Sequence, residues 1–217
     1  MTDFRKDFFR FAASQRALLF GEFVTKAGRT SPYFFNAGMF ASGAALARLC
    51  EFYAKAIAAA GVEYDMLFGS AYKGIPLAAG VAMSLASRGR DVAFCFNRKE
   101  AKDHGEGGTV IGAPLAGRVL IVDDVISAGT SVRESVGIIR AHHATPCAVA
   151  IALDRMELGT AALSATQEVE QAYGIPVVSI ATLDDLVEFV RAEPSYASHL
   201  QAVLSYSSRF GTTAHAR

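Results

Sequence analysis

Two adjacent carboxylates, Asp123 and Asp124, follow directly on the four apolar residues Val119, Leu120, Ile121 and Val122 and precede Val125, Ile126 and the turn Ser127-Ala128-Gly129-Thr130-Ser131. Three of the four apolar residues are β-branched, which predicts a strand buried on both faces with the acids at its carboxyl end. Residues 132–141 carry a helical pattern, so the turn opens a helix. Hydroxyls, a glycine and free N–H groups at a helix N-terminus suit a phosphate. Carboxylates repel one; Asp123 and Asp124 instead suit sugar hydroxyls or a hydrated metal ion. In an open parallel sheet ligands gather at the carboxyl ends of strands. The ligand these residues imply is a phosphorylated sugar.

Phosphoacceptor receiver domains also end a strand in paired aspartates, but near the start of the domain, whereas more than a hundred residues precede Asp123. An acidic strand end can also merely cap a turn; the glycine-hydroxyl segment that follows argues against that.

Further candidates lie in four segments. Gly69-Ser70-Ala71-Tyr72-Lys73-Gly74 follows a short strand, residues 64–68, and precedes a helix with Pro76 in its first turn. Its small residues let N–H groups and the Lys73 ammonium approach an anion, although many strand-to-helix turns carry Gly and Lys. Residues 97–109 hold Arg98, Lys99, Lys102 and His104 interleaved with acids and followed by glycines, and have no apolar face to anchor them, which predicts a mobile lid. Lys26 lies in a basic turn between residues 18–25 and 31–36, which read as a hairpin; taken alone it is a solvated turn lysine. Phe34 and Phe35 are adjacent, so a strand sends them to opposite faces, leaving one free to pack elsewhere or to stack on a planar ring. Arg155 stands after a strand at residues 146–154 and either pairs with Asp154 or Glu157 or takes a substrate carboxylate with its planar fork.

Around these groups the chain alternates strands and helices. Residues 3–16 predict an amphipathic helix on Phe4, Phe8, Phe11 and Ala12, and residues 42–60 a long helix ended by Gly61. Core strands are expected at 64–68, 91–96, 119–122, 146–154 and 176–180, with helices at 161–173, 186–192 and 196–206. The class is α/β, a mostly parallel five-stranded sheet between helices, whose strand order this pattern does not encode.

Of the 217 residues 52% are hydrophobic and 19% charged, enough for a sizeable core. The 21 basic and 21 acidic residues balance, so no global field points to nucleic acid or to a membrane surface. Cys50, Cys95 and Cys147 read as reduced, buried thiols. The charged residues 3–7 argue against a signal peptide and no apolar run reaches membrane-spanning length, so the expected location is cytoplasmic.

Residues 119–131 resemble the phosphoribosyl-diphosphate binding motif of the type I phosphoribosyltransferases. Residues 98–107, Lys26, Phe34-Phe35 and Asp154-Arg155 further resemble the orotate phosphoribosyltransferases, over about residues 18–157. The resemblance implies one phosphoribosyltransferase domain over residues 1–217, with an N-terminal hood at 1–40, a core sheet at 61–182 and a mobile catalytic lid at 97–110. It implies orotate and 5-phosphoribosyl 1-diphosphate as substrates, and Mg2+ held mainly by substrate and water near Asp123 and Asp124. Lys26, Tyr72, Lys73 and the lid cations Arg98, Lys99 and Lys102 would then meet the diphosphate, residues 127–131 the 5′-phosphate, and Phe34, Phe35 and Arg155 the orotate. His104 would donate a proton or act as a cation. A homodimer with shared active sites is also implied. Donor-binding regulators and purine or uracil transferases of the same fold are the alternatives.

Overall fold

The computed structural model describes residues 4–25, 27–102, 108–159 and 162–212. Helix α1 (Phe4–Ser14) leads into an antiparallel hairpin of β1 (Leu18–Val24) and β2 (Thr30–Phe35), a small sheet of its own. The long helix α2 (Gly43–Ala60) begins where the Ser42 side chain accepts from Ala45 N and ends at Gly61, whose φ of 64° a β-carbon would disfavour. Then follow β3 (Met66–Gly69), α3 (Gly74–Ala86), β4 (Ala93–Lys102), β5 (Gly108–Gly112), β6 (Arg118–Val122), α4 (Thr130–Ala141), β7 (Thr145–Asp154), α5 (Ala165–Tyr173), β8 (Val177–Thr182), α6 (Leu183–Ala192) and α7 (Leu200–Phe210).

The main sheet has the order β5-β4-β3-β6-β7-β8, parallel except for β5. Period-two alternation divides its side chains cleanly. Leu67, Leu120, Val122, Ala148, Ala150 and Ala152 join one buried cluster, with residues of α1, α2, α3 and α6. Met66, Phe68, Cys95, Val119, Ile121, Val149 and Ile151 join the other, under α4 and α5. Val119 through Val122 are wholly inaccessible to solvent, as a strand covered on both faces requires.

Among the described residues the sheet has six strands rather than the five expected. The addition is β5, antiparallel to β4, with Asn97 opposite Val110 and Lys102 opposite Gly108. Both flanks of the expected lid are therefore a β-ribbon. Its polar composition hid this, because main-chain pairing at a sheet edge needs no apolar face; half-buried Val110 and Ile111 supply what packing there is. The last helix also differs: residues 194–199 form a 3-10 segment, and α7 starts only at Leu200. Cys50, Cys95 and Cys147 are free thiols, the first two buried, where loss of hydration pushes them up to about 12. No helix among the described residues is long and apolar enough to cross a membrane.

Candidate active site

The chain leaves β3 toward β4 on one side and β6 toward β7 on the other, so winding reverses between the neighbours β3 and β6. Loops diverge at such a point and open a crevice at the carboxyl edge. The loop after β3 carries Ala71, Tyr72 and Lys73; the one after β6 begins with Asp123 and Asp124.

Main-chain bonds extend the ladder past the end of β6 and fix the two acids. Asp123 N donates to Ala150 O at 3.0 Å, and Ala152 N donates to Asp124 O at 2.8 Å. The buried Tyr53 hydroxyl on α2 donates to Asp123 O at 2.7 Å. Asp123 Oδ1 accepts from Asp124 N at 2.9 Å. Burial raises the Asp123 carboxyl above the usual range, opposed by hydrogen bonds from the Ser131 and Ser70 side chains and from Asp124 N. Asp124 Oδ2 meets Lys73 Nζ of the facing loop at 2.6 Å. The lysine side chain is 56% exposed, so this ion pair contributes little to folding and exchanges readily for a bound anion.

Close packing holds the β3–α3 loop in place. A β-carbon on Gly74 would lie 2.5 Å from Val122 O and 2.7 Å from Ser70 Oγ, so only glycine lets this loop lie against the end of β6. Buried Asn97 accepts from Ala71 N through Oδ1 at 2.8 Å, fastening the loop to β4. Tyr72 is exposed, and Lys99 Nζ sits 5.1 Å from the centre of its ring. Arg98 Nη1 is buried without an acceptor among the described residues, a donor suited to an anion. Across the crevice Val125 and Ile126 anchor the turn in the two cores. Ser127, Ala128 and Thr130 are exposed, and Gly129 at φ 68° turns the chain into α4. N–H groups and hydroxyls thus face outward at the N-terminus of a twelve-residue helix.

Arg155, just beyond β7, is bound to Glu157, one of the two local acids expected as its partner, and also to Ser31 of β2, which was not expected. Of the paired phenylalanines, Phe34 is the outward one, 42% exposed and stacked on Phe23 at 5.4 Å. Phe35 turns inward against Phe8 and Phe40, as strand alternation requires of one of the pair. Lys102 ends β4, but its side chain, Lys26 and His104 lie outside the described residues. Tyr53, Ser70 and Asn97 were not among the residues expected here, and Glu157 was expected only as a local partner of Arg155. Tyr53 carries the one visible signal, a phenol within an apolar helical stripe.

Paired acids beside a glycine-hydroxyl turn, at the switch point of an open, mostly parallel sheet, are the arrangement of a type I phosphoribosyltransferase. Residues 37–170 match the family described as Phosphoribosyl transferase domain. Orotate phosphoribosyltransferase of Laribacter hongkongensis is 65% identical over 97% of this chain and 99% of its own length. That of Chromobacterium violaceum is 63% identical over 97% and 99%. The crystal structure of orotate phosphoribosyltransferase from Francisella tularensis, 37% identical, superposes with a TM-score of 0.87 over 95% of this chain and 100% of that one. The chain belongs to the orotate phosphoribosyltransferase family.

Proposed function

We propose that the chain transfers the 5-phosphoribosyl group of 5-phosphoribosyl 1-diphosphate to N1 of orotate, releasing diphosphate and forming orotidine 5′-monophosphate in de novo pyrimidine synthesis. The observation that carries this reading is the meeting of Asp124 with Lys73 beside the open turn of residues 127–131. The turn anchors the 5′-phosphate, and that binding energy orients the ribose. Asp123 and Asp124 accept from the 2′ and 3′ hydroxyls.

As the C1′–O bond breaks, its electron pair leaves with the diphosphate and the ribosyl carbon takes on oxocarbenium character. Lys73, released from Asp124, Arg98 through its unpartnered nitrogen, and Lys99 neutralise the leaving group. The reading also gives Lys26, Lys102 and His104 to the diphosphate, and lets residues 97–110 close over it to exclude water. The new bond joins C1′ to N1 of orotate, whose N1 proton passes to the departing diphosphate, with Phe34 flanking the ring and Arg155 holding its carboxylate.

Among the described residues no group of three or more His, Cys, Asp or Glu side chains could hold a metal. Two carboxylates at one edge fit a Mg2+ that takes its remaining ligands from substrate and water. When bound it would supply positive charge that offsets the charge of the departing diphosphate. The reading includes a cytoplasmic homodimer whose lid lysines serve the neighbouring site. Mixing Asp124→Ala with Lys102→Ala chains then restores activity that neither has alone, and no recovery after confirmed subunit exchange counts against sharing.

The direct test mixes protein, donor and Mg2+ with orotate, following its ultraviolet absorbance, and with uracil, hypoxanthine or adenine in parallel. Turnover of orotate alone is the expected result. Turnover of another base overturns the acceptor, and donor binding without any turnover would make the chain a regulator.

A further inference from the structure

Glu157 bends back onto Arg155 because the residue between them is in an unusual conformation. Met156 has φ 51°, a left-handed backbone that strains a side-chain-bearing residue. Asp154 offsets this strain by accepting from Met156 N through Oδ1 at 2.8 Å. Thr212, beyond α7, donates to Met156 O through its N at 2.7 Å and its hydroxyl at 3.0 Å.

One oxygen of Glu157 then collects three donors. Its Oε1 accepts from Arg155 Nε at 2.8 Å, from Arg155 Nη2 at 2.5 Å and from the Tyr206 hydroxyl of α7 at 2.9 Å. Nη2 donates also to Ser31 Oγ at 3.1 Å, and that hydroxyl donates to Tyr33 O at 2.7 Å. The guanidinium carbon lies 4.4 Å from the centre of the Tyr33 ring, which meets Tyr206 edge-on at 6.2 Å. Stacking fixes the plane of the guanidinium and the hydrogen bonds fix its rotation within that plane. Among the described residues, only Nη1 of its nitrogens has no acceptor.

The charge on Glu157 cannot be what helps an anionic base, since it partly cancels the arginine that the base must meet. Its geometry can. We propose that Glu157, steadied by Tyr206, is a positioning residue that sets acceptor specificity, occupying the Nε/Nη2 side of Arg155 so that Nη1 is presented to the carboxylate of the base. The inference rests on the assignment of Arg155 to that carboxylate. It brings α7, beyond the matched segment at residues 37–170, into the choice of base.

The test is steady-state kinetics with each substrate varied, alongside thermal unfolding. Arg155→Ala should raise the KM for orotate more than about tenfold, and Glu157→Ala about tenfold, with kcat and the KM for donor within about twofold. Glu157→Gln keeps the accepting oxygen and should restore near-normal KM, the response that distinguishes a held geometry from charge. Tyr206→Phe should raise the orotate KM about threefold alone and add nothing to Glu157→Ala, because it acts through that residue. If Arg155→Ala leaves orotate KM unchanged, both the base-site assignment and this inference fall. If Arg155→Ala acts but Glu157→Ala is silent, or shifts both substrates together, the positioning role falls and the base site stands. Glu157→Gln as impaired as Glu157→Ala would also overturn it. Should Glu157→Ala not fold, Tyr206→Phe decides: a selective rise in orotate KM supports the role and an unchanged KM overturns it.

Discussion

The corner around Asp123 and Asp124 and the corner around Arg155 sit on neighbouring strands, yet they are fixed by different means. The first is held chiefly by main chain, Asp123 N to Ala150 O, Asp124 O to Ala152 N and a turn entered through Gly129, with the Tyr53 hydroxyl added on Asp123 O. The second is held by side chains drawn from Ser31, Tyr33, Glu157 and Tyr206. Main-chain bonds survive most substitutions, whereas a side-chain clamp is one substitution from loosening. On the proposed assignment, the donor end is thus built to stay constant, and the acceptor end is where selectivity is adjustable.

Substitutions that separate the two corners test this contrast. The largest effect belongs to Asp124→Asn, which also deprives Lys73 of its anionic partner: kcat/KM should fall about 100- to 1000-fold while orotate affinity stays within about twofold. Equal loss of orotate affinity, read by equilibrium binding, would merge the corners into one unit. Gly74→Ala forces a β-carbon against Val122 O, and should cost about 1–3 kcal/mol in thermal unfolding and about tenfold in donor affinity. A normally stable protein with normal donor binding would show that the loop is free to move.

Phe34→Ala should raise the orotate KM only about threefold, whereas Phe35→Ala should appear as lost stability. The reverse pattern would reassign the stacking ring. The smallest effect concerns Asp123 and pH. Burial raises its folded carboxyl above the unfolded value, so wild-type stability falls as pH rises from the ordinary carboxylate range through the raised folded value. Asp123→Asn removes that penalty, so the inactive variant should melt about 2 °C higher at pH 7, with the gain vanishing toward the ordinary carboxylate range. A gain independent of pH would have another origin.

The difference in construction also decides what could be read from the residues alone. Val119 to Ser131 are contiguous, so strand, acids, turn and helix all showed in one pass. The alternation rule required Phe34 and Phe35 to part, but which one faces outward depends on Phe8 and Phe40, remote in sequence. Strand order and β5 rest on pairings between distant segments, which local patterning does not encode. Glu157 and Tyr206 lie 49 positions apart and neither has a distinctive neighbourhood, so nothing local marked their shared role.

The clamp on Arg155 has a consequence for how the protein is made. The main-chain partners that fix Asp123 and Asp124 end at Ala152, whereas the clamp waits for Tyr206 and the strained Met156 for Thr212. A chain emerging from the ribosome in order can therefore assemble its donor corner before its acceptor corner exists. On the proposed assignment, the main-chain partners of the sugar-donor corner are all synthesised before the residue that steadies the group choosing the base.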